Sequence, residues 1–105
     1  MLPHQTIQAA VDRIVAAADP SKVILFGSYA RGEATEDSDL DLMVVEPEVA
    51  NRAKEMARLR RAVGKFNIGV DVLVYSEAEF EERKNWLSSV VYWAQQEGKV
   101  LYERA

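Results

Sequence analysis

The chain has 105 residues and a mass of 11.8 kDa, 49% hydrophobic and 29% charged, a globular balance that excludes intrinsic disorder and leaves room for one domain over residues 1–105. Thirteen basic against 17 acidic residues give a net charge of −4 and a pI near 5.0, which argues against a nucleic-acid or anionic-membrane binder. With no cysteine and His4 as the single histidine, thiolate and His-rich metal sites are excluded, so any metal must be hard and oxygen-ligated.

In chain order, His4 to Ala18 spaces Ile7, Ala10, Val11, Ile14, Val15 and Ala18 as one helical stripe, with His4 a surface residue at its start. Asp19-Pro20-Ser21 ends it. Val23 to Phe26 is a β-branched and aromatic run expected as a buried strand. It leads into Gly27-Ser28 and then Tyr29-Ala30-Arg31-Gly32, room for one helical turn; Glu33 to Ser38 is a polar loop. Asp39 to Val45 alternates, with Leu40, Leu42 and Val44 on one face and Asp39, Asp41, Met43 and Val45 on the other.

Pro47 to about Val63 reads as a helix with Val49, Ala53, Met56, Leu59 or Arg60, and Val63 on its inner side. Gly69 to Tyr75 is a third strand, Val70, Val72 and Val74 opposing Asp71, Leu73 and Tyr75. Ser76 with Glu79 forms a capping box for a further helix. A last helix is expected from about Asn85 to Gln96, with Leu87, Val90, Val91 and Ala94 inward, and Gly98 stops it before a short edge strand, Val100 to Tyr102. The fold class is α+β: a mixed sheet with flanking helices. No apolar run approaches the roughly 20 residues that cross a bilayer. Residues 1–10 lack the pattern of a signal peptide, so a cytoplasmic location is expected.

Asp39 and Asp41 project from the same strand face, and Asp71 sits mid-strand among valines. Aspartate is depleted in strands, and gathered carboxylates repel one another unless a cation neutralises them. Two divalent ions sharing such carboxylates are the arrangement of in-line phosphoryl or nucleotidyl transfer. The strand into Gly27-Ser28 supplies free N–H groups for phosphate. Phosphate turn and carboxylate cluster together suit nucleoside triphosphate chemistry.

Gly27-Ser28-Tyr29-Ala30-Arg31-Gly32, ten residues between Ser28 and Asp39, then Ser38-Asp39-Leu40-Asp41-Leu42, with Asp71 in Val70-Asp71-Val72-Leu73, resemble the signature of the polymerase β-like nucleotidyltransferases. The size is similar to that of the minimal nucleotidyltransferases, many of which are antitoxins paired with HEPN ribonuclease toxins. The resemblance implies the polymerase β-like nucleotidyltransferase fold and AMP transfer from ATP to a hydroxyl, with a tyrosine of a HEPN toxin as acceptor. It implies that Gly27 and Ser28 hold the β- and γ-phosphates, that Asp39 and Asp41 ligate two Mg²⁺ (or Mn²⁺) ions, and that Asp71 ligates the catalytic ion and accepts the hydroxyl proton. Arg31 and Ser38 belong to the motif as phosphate-binding candidates; Arg31 either contacts the triphosphate or, the favoured reading, pins the loop through Glu33, Glu36 or Asp37.

Arg52, Lys54, Arg58, Arg60, Arg61 and Lys65 form a basic run read chiefly as a solvated helix face. Trp86, Val90 and Trp93 form a second apolar stripe on the last helix, which either completes the core or, the favoured reading, forms an interface for a partner or for self-association. Two other functions stay open: a non-catalytic antitoxin that neutralises a toxin by covering it, and nucleotidyl transfer to a small molecule or a nucleic-acid end.

Overall fold

A computed structural model describes residues 2–66 and 68–105. The elements run α1 (His4–Ala18), β1 (Lys22–Phe26), α2 (Ser28–Arg31), β2 (Leu40–Glu46), α3 (Arg52–Val63), β3 (Val70–Ser76), α4 (Glu77–Arg83), α5 (Val90–Glu97) and β4 (Lys99–Glu103). The sheet order is β3-β2-β1-β4. β1 is antiparallel to both β2 and β4, whereas β2 and β3 are parallel. A parallel pair needs a crossover connection, and α3 is that crossover.

Strand alternation sorts the side chains into two cores. Val23, Leu25, Leu40, Leu42, Val44, Val70, Val72 and Val74 face α1 and α3, meeting Ile7, Val11, Ile14, Leu59 and Val63. Ile24, Met43 and Val45 face the other way, under Phe80 of α4 and Val91 and Ala94 of α5. Burying each of the larger side chains is worth about 1.5–3 kcal/mol. The alternation expected for β2 is observed from Leu40 onward and that for β3 is observed, whereas Asp39, expected in the strand beside Asp41, precedes β2; β4 forms the expected edge.

Two helix starts differ from expectation. α3 begins at Arg52, not near Pro47, because the Asn51 side chain accepts a hydrogen bond from the Lys54 N–H at 3.0 Å. Val49 packs on the core from ahead of the helix, Leu59 is buried, and Ala53 and Arg60 are exposed. α5 begins at Val90, not Asn85, because Ser89 accepts from the Val91 N–H at 3.1 Å. The preceding residues form turns closed by Trp86 N–H to Arg83 and Ser89 N–H to Trp86. Trp86, Val90 and Trp93 therefore do not form one helical stripe. Leu87, expected inward, is 65% exposed, and its carbonyl accepts from the Trp93 indole N–H at 2.9 Å.

Candidate active site

Because β1 runs antiparallel to β2 and β3 runs parallel to it, the end of β1 meets the starts of β2 and β3 at one margin of the sheet. Phe26 is the register partner of Asp41, and Asp41 of Asp71. These residues form a row across three strands on the face shared with α4 and α5. Asp71 is exposed and Asp41 half-buried. Burial, then the neighbouring Asp71 carboxylate and more weakly Asp39, push the Asp41 carboxyl up to about 6, against the pull of the Arg31 guanidinium. Two side-by-side carboxylates cannot both ionise cheaply without a cation.

Glycine gives the carboxylates their room. Gly27 has φ +74°, and a Cβ there would collide with the Asp41 carboxylate. A Cβ on Gly69 would lie 2.5 Å from Asp39 Oδ1. Nothing in the local sequence singles out Gly69. Its role follows from the pairing of Leu40 with Val70, continued by the Leu40 N–H bond to the Gly69 carbonyl at 2.9 Å.

Gly27 also caps α2. Its carbonyl accepts from the N–H groups of Ala30 and Arg31 at 3.1 and 3.2 Å. The N–H groups of Ser28 and Tyr29, in the first turn, have no intrahelical acceptor and suit a phosphate oxygen. The other motif residues are engaged locally. Arg31 Nε pairs with Glu33 at 2.8 Å and its Nη1 with Glu97 of α5 at 3.6 Å, so it pins the loop. Ser38 Oγ accepts from the Thr35 N–H at 2.8 Å, and the Ser38 N–H donates to the Thr35 carbonyl at 3.1 Å, closing the same loop.

Three of the six residues of the basic run are likewise engaged. Arg52 donates to the Val74 carbonyl and pairs with Glu79, Arg58 pairs with Glu55 and donates to the Ala17 carbonyl, and Arg60 donates to the Gly64 carbonyl at 3.0 Å. Arg60 nonetheless lines a cavity of about 450 Å³ that Asp41 and Asp71 share with Phe26, Met56, Ala57 and Leu73. A second cavity, about 340 Å³, lies beside Ser21, Lys22 and Phe80, away from these carboxylates. There Lys22 pairs with Glu103 at 3.5 Å and Ser21 bonds to Glu77, which leaves no convergent reactive group.

The donor set fits a hard cation: Asp41 and Asp71 are adjacent oxygen ligands whose repulsion a divalent ion would relieve. Asp39 stands against Gly69 instead, and among the described residues no three acidic or histidine side chains are gathered to enclose an ion as they stand. The structure thus joins Asp41, Asp71 and the Gly27-Ser28 turn, brings Asp39 to their margin, and turns Arg31 and Ser38 to the loop.

The nucleotidyltransferase domain family matches residues 7–93. A Methanocaldococcus jannaschii protein named "putative protein adenylyltransferase" is 36% identical over 81 residues, 77% of each chain. The protein adenylyltransferase MntA of Thermococcus cleftensis is 35% identical over 68 residues, 65% of this chain and 69% of its own. Among solved structures, a Sulfolobus solfataricus protein described as a "putative nucleotidyltransferase" superposes with a TM-score of 0.66 at 22% identity, over 95% of this chain and 79% of its own. A chain from a toxin–antitoxin structure with AMP-PNP gives 0.60 at 20% identity, over 92% and 73%. Both structural likenesses are likenesses of fold.

Proposed function

The chain belongs to the nucleotidyltransferase domain family and is an enzyme of that type, and from this membership we propose that it transfers AMP from ATP to a hydroxyl, releasing pyrophosphate. The acceptor in this reading is a tyrosine on a HEPN-family toxin in the cytoplasm, and the product is a silenced toxin. The observation that carries the proposal is the Asp41–Asp71 carboxylate pair set directly beside the Gly27-Ser28 turn. The relative named MntA and the toxin–antitoxin neighbour with AMP-PNP support the choice of nucleotide and partner class.

Each residue then has a physical task. The N–H groups of the Gly27-Ser28 turn and the Ser28 hydroxyl hold the β- and γ-phosphates. Asp39, Asp41 and Asp71 would hold two Mg²⁺ ions, or Mn²⁺, which supply charge neutralisation and electrophilic activation when bound. Asp71 receives the proton of the acceptor hydroxyl. Arg31 and Ser38 act on phosphate indirectly, by fixing the loop between the turn and Asp39.

The test compares the wild-type chain with Asp39→Ala plus Asp41→Ala in the presence of ATP, Mg²⁺ and a HEPN toxin. Mass spectrometry should find AMP on the toxin only with the wild type, the variant losing at least about 10³-fold in rate, an expectation scaled to losing a principal charge-stabilising group. Neutralisation by the unmodified variant would instead establish an antitoxin that works by covering its target.

A further inference from the structure

A recess of about 320 Å³ lies between the end of β3, the end of α4 and the start of α5, lined by Tyr75, Arg83, Trp86, Ser88, Ser89 and Val90. It shares no residue with the Gly27-Ser28 turn or with the cavity of Asp41 and Asp71. Its rim is apolar. Trp86 and Trp93 are about half exposed and Leu87 more so, and the bond from the Trp93 indole to the Leu87 carbonyl holds them as one patch. Arg83 is the charged group within it. Among the described residues its Nε is shielded from water with no hydrogen-bond partner. The nearest carboxylate, Glu79, stands 3.9 Å from Arg83, beyond hydrogen-bond reach, and is taken by Arg52. The Tyr75 ring, 5.6 Å from the guanidinium, offers it a stacking face.

A guanidinium presents its N–H groups in planar pairs that match the two oxygens of a carboxylate, and an N–H left dry and unpaired costs free energy until an acceptor arrives. Among the described residues, those lining the recess supply no carboxylate. A second copy docked face to face would set Arg83 against Arg83, because a two-fold contact pairs a patch with itself. The acceptor must therefore come from a different surface. We propose that this recess docks a partner protein through one aspartate or glutamate flanked by apolar side chains, with the carboxylate on Arg83 and its apolar neighbours on Trp86, Leu87 and Trp93. The inference rests on the reading above, in which the chain acts on a protein, and deepens it by separating the grip on that protein from the chemistry. Tyr75 and Asp71 stand four residues apart on one face of β3, roughly 13 Å at the rise of a strand. A protein held at Tyr75 and Arg83 can thus present a hydroxyl to the carboxylates without covering the phosphate turn.

The HEPN toxin of the activity test is the probe. It is titrated calorimetrically into the wild-type chain, Arg83→Gln, Arg83→Lys and Leu87→Asp, and ATP with Mg²⁺ is titrated into each separately. Arg83→Gln and Leu87→Asp should each weaken toxin binding at least about tenfold, while ATP affinity stays within about twofold and the unfolding temperature stays close to wild type. Arg83→Lys, which keeps the charge without the planar fork, should fall between. In the transfer assay the KM for the toxin should rise in the same order with kcat at saturating toxin unchanged, the mark of a contact made equally before and during reaction. Full affinity for the toxin in Arg83→Gln and Leu87→Asp overturns the proposal. So does a wild-type chain that sediments as a dimer while Leu87→Asp sediments as a monomer, which would give this face to a second copy. ATP binding by the wild type with no toxin complex overturns the toxin as partner and the docking site with it. A wild type that docks the toxin through Arg83 and Leu87 but binds no ATP supports the docking site and overturns the nucleotide reading.

Discussion

Gly69 and Gly27 each lie against a carboxylate, but for different physical reasons. At Gly27 a side chain would meet both a strained φ of +74° and the Asp41 carboxylate, so stability and site geometry are affected together. At Gly69 the φ is not left-handed, and the main obstacle to a methyl group is Asp39. Gly69→Ala should therefore weaken Mg²⁺-dependent ATP binding by about tenfold or more, as expected when a ligand-bearing group is mispositioned, while thermal unfolding barely changes. A titration matching wild type would show that the place of Asp39 against Gly69 is incidental. The sequence made Gly27 legible because its partners are close in the chain. Gly69 was hidden because its partner lies 30 residues earlier and is reached only through the parallel register of β2 and β3. Local legibility also explains Arg31, whose acidic neighbours suggested a loop-pinning role. The additional pairing with Glu97 needed the tertiary fold.

At the scale of elements, the junction of β2 with α3 carries an unpaired group. Glu46 ends β2, is 7% exposed, and its Oε2 has no hydrogen-bond partner. Burial, then the Glu55 carboxylate of α3, push Glu46 up to about 7, against the pull of Arg58. Glu55 itself is held below the usual range, first by its hydrogen bonds from Arg58. The cavity they border also contains Glu48 and Lys54. The proton therefore resides on Glu46 at mildly acidic pH. A carboxyl with a raised folded-state pKa contributes stability that is present below its unfolded value and is lost as pH rises through about 7. The unfolding temperature should fall as pH rises from about 4.5 to about 7 and level off above that, by the equivalent of on the order of 1–3 kcal/mol. Glu46→Gln should flatten that slope, and a slope unchanged in the variant would assign it elsewhere.

Element types were readable from periodicity: two β patterns, the Ser76–Glu79 capping box, and the stop at Gly98 all appear in the fold. Two helix starts were not, because Pro47 and Asn85 begin plausible helical stretches and the choice is made by single caps, Asn51 and Ser89. The second choice matters most for the aromatic side chains. It removes Trp86 from the helix of Trp93, yet both remain about half exposed, at 48% and 47%.

At the scale of the molecule, the topology gathers dispersed aspartates into the candidate site. Residues 39, 41 and 71 reach one margin because α3 carries the chain back to start β3 beside β2, and the antiparallel β1 ends at that same margin. This much was legible in the motif spacing. The cavity beside Asp71 was not, since it is assembled from β1, β2, α3 and β3 at once. The chain as a whole carries −4, and the nearest arginines are committed to carboxylates or backbone carbonyls. In the proposed reaction a polyanionic nucleotide would gain little from the overall field, and its affinity would come from backbone N–H groups and from cations held by the aspartates. Isothermal titration of ATP into the chain, with Mg²⁺ and then with chelator, beside the Asp39→Ala plus Asp41→Ala variant, tests that claim directly. The account predicts binding that needs Mg²⁺ and weakens at least about tenfold in the variant. Equal affinity with chelator, or full affinity in the variant, would contradict it.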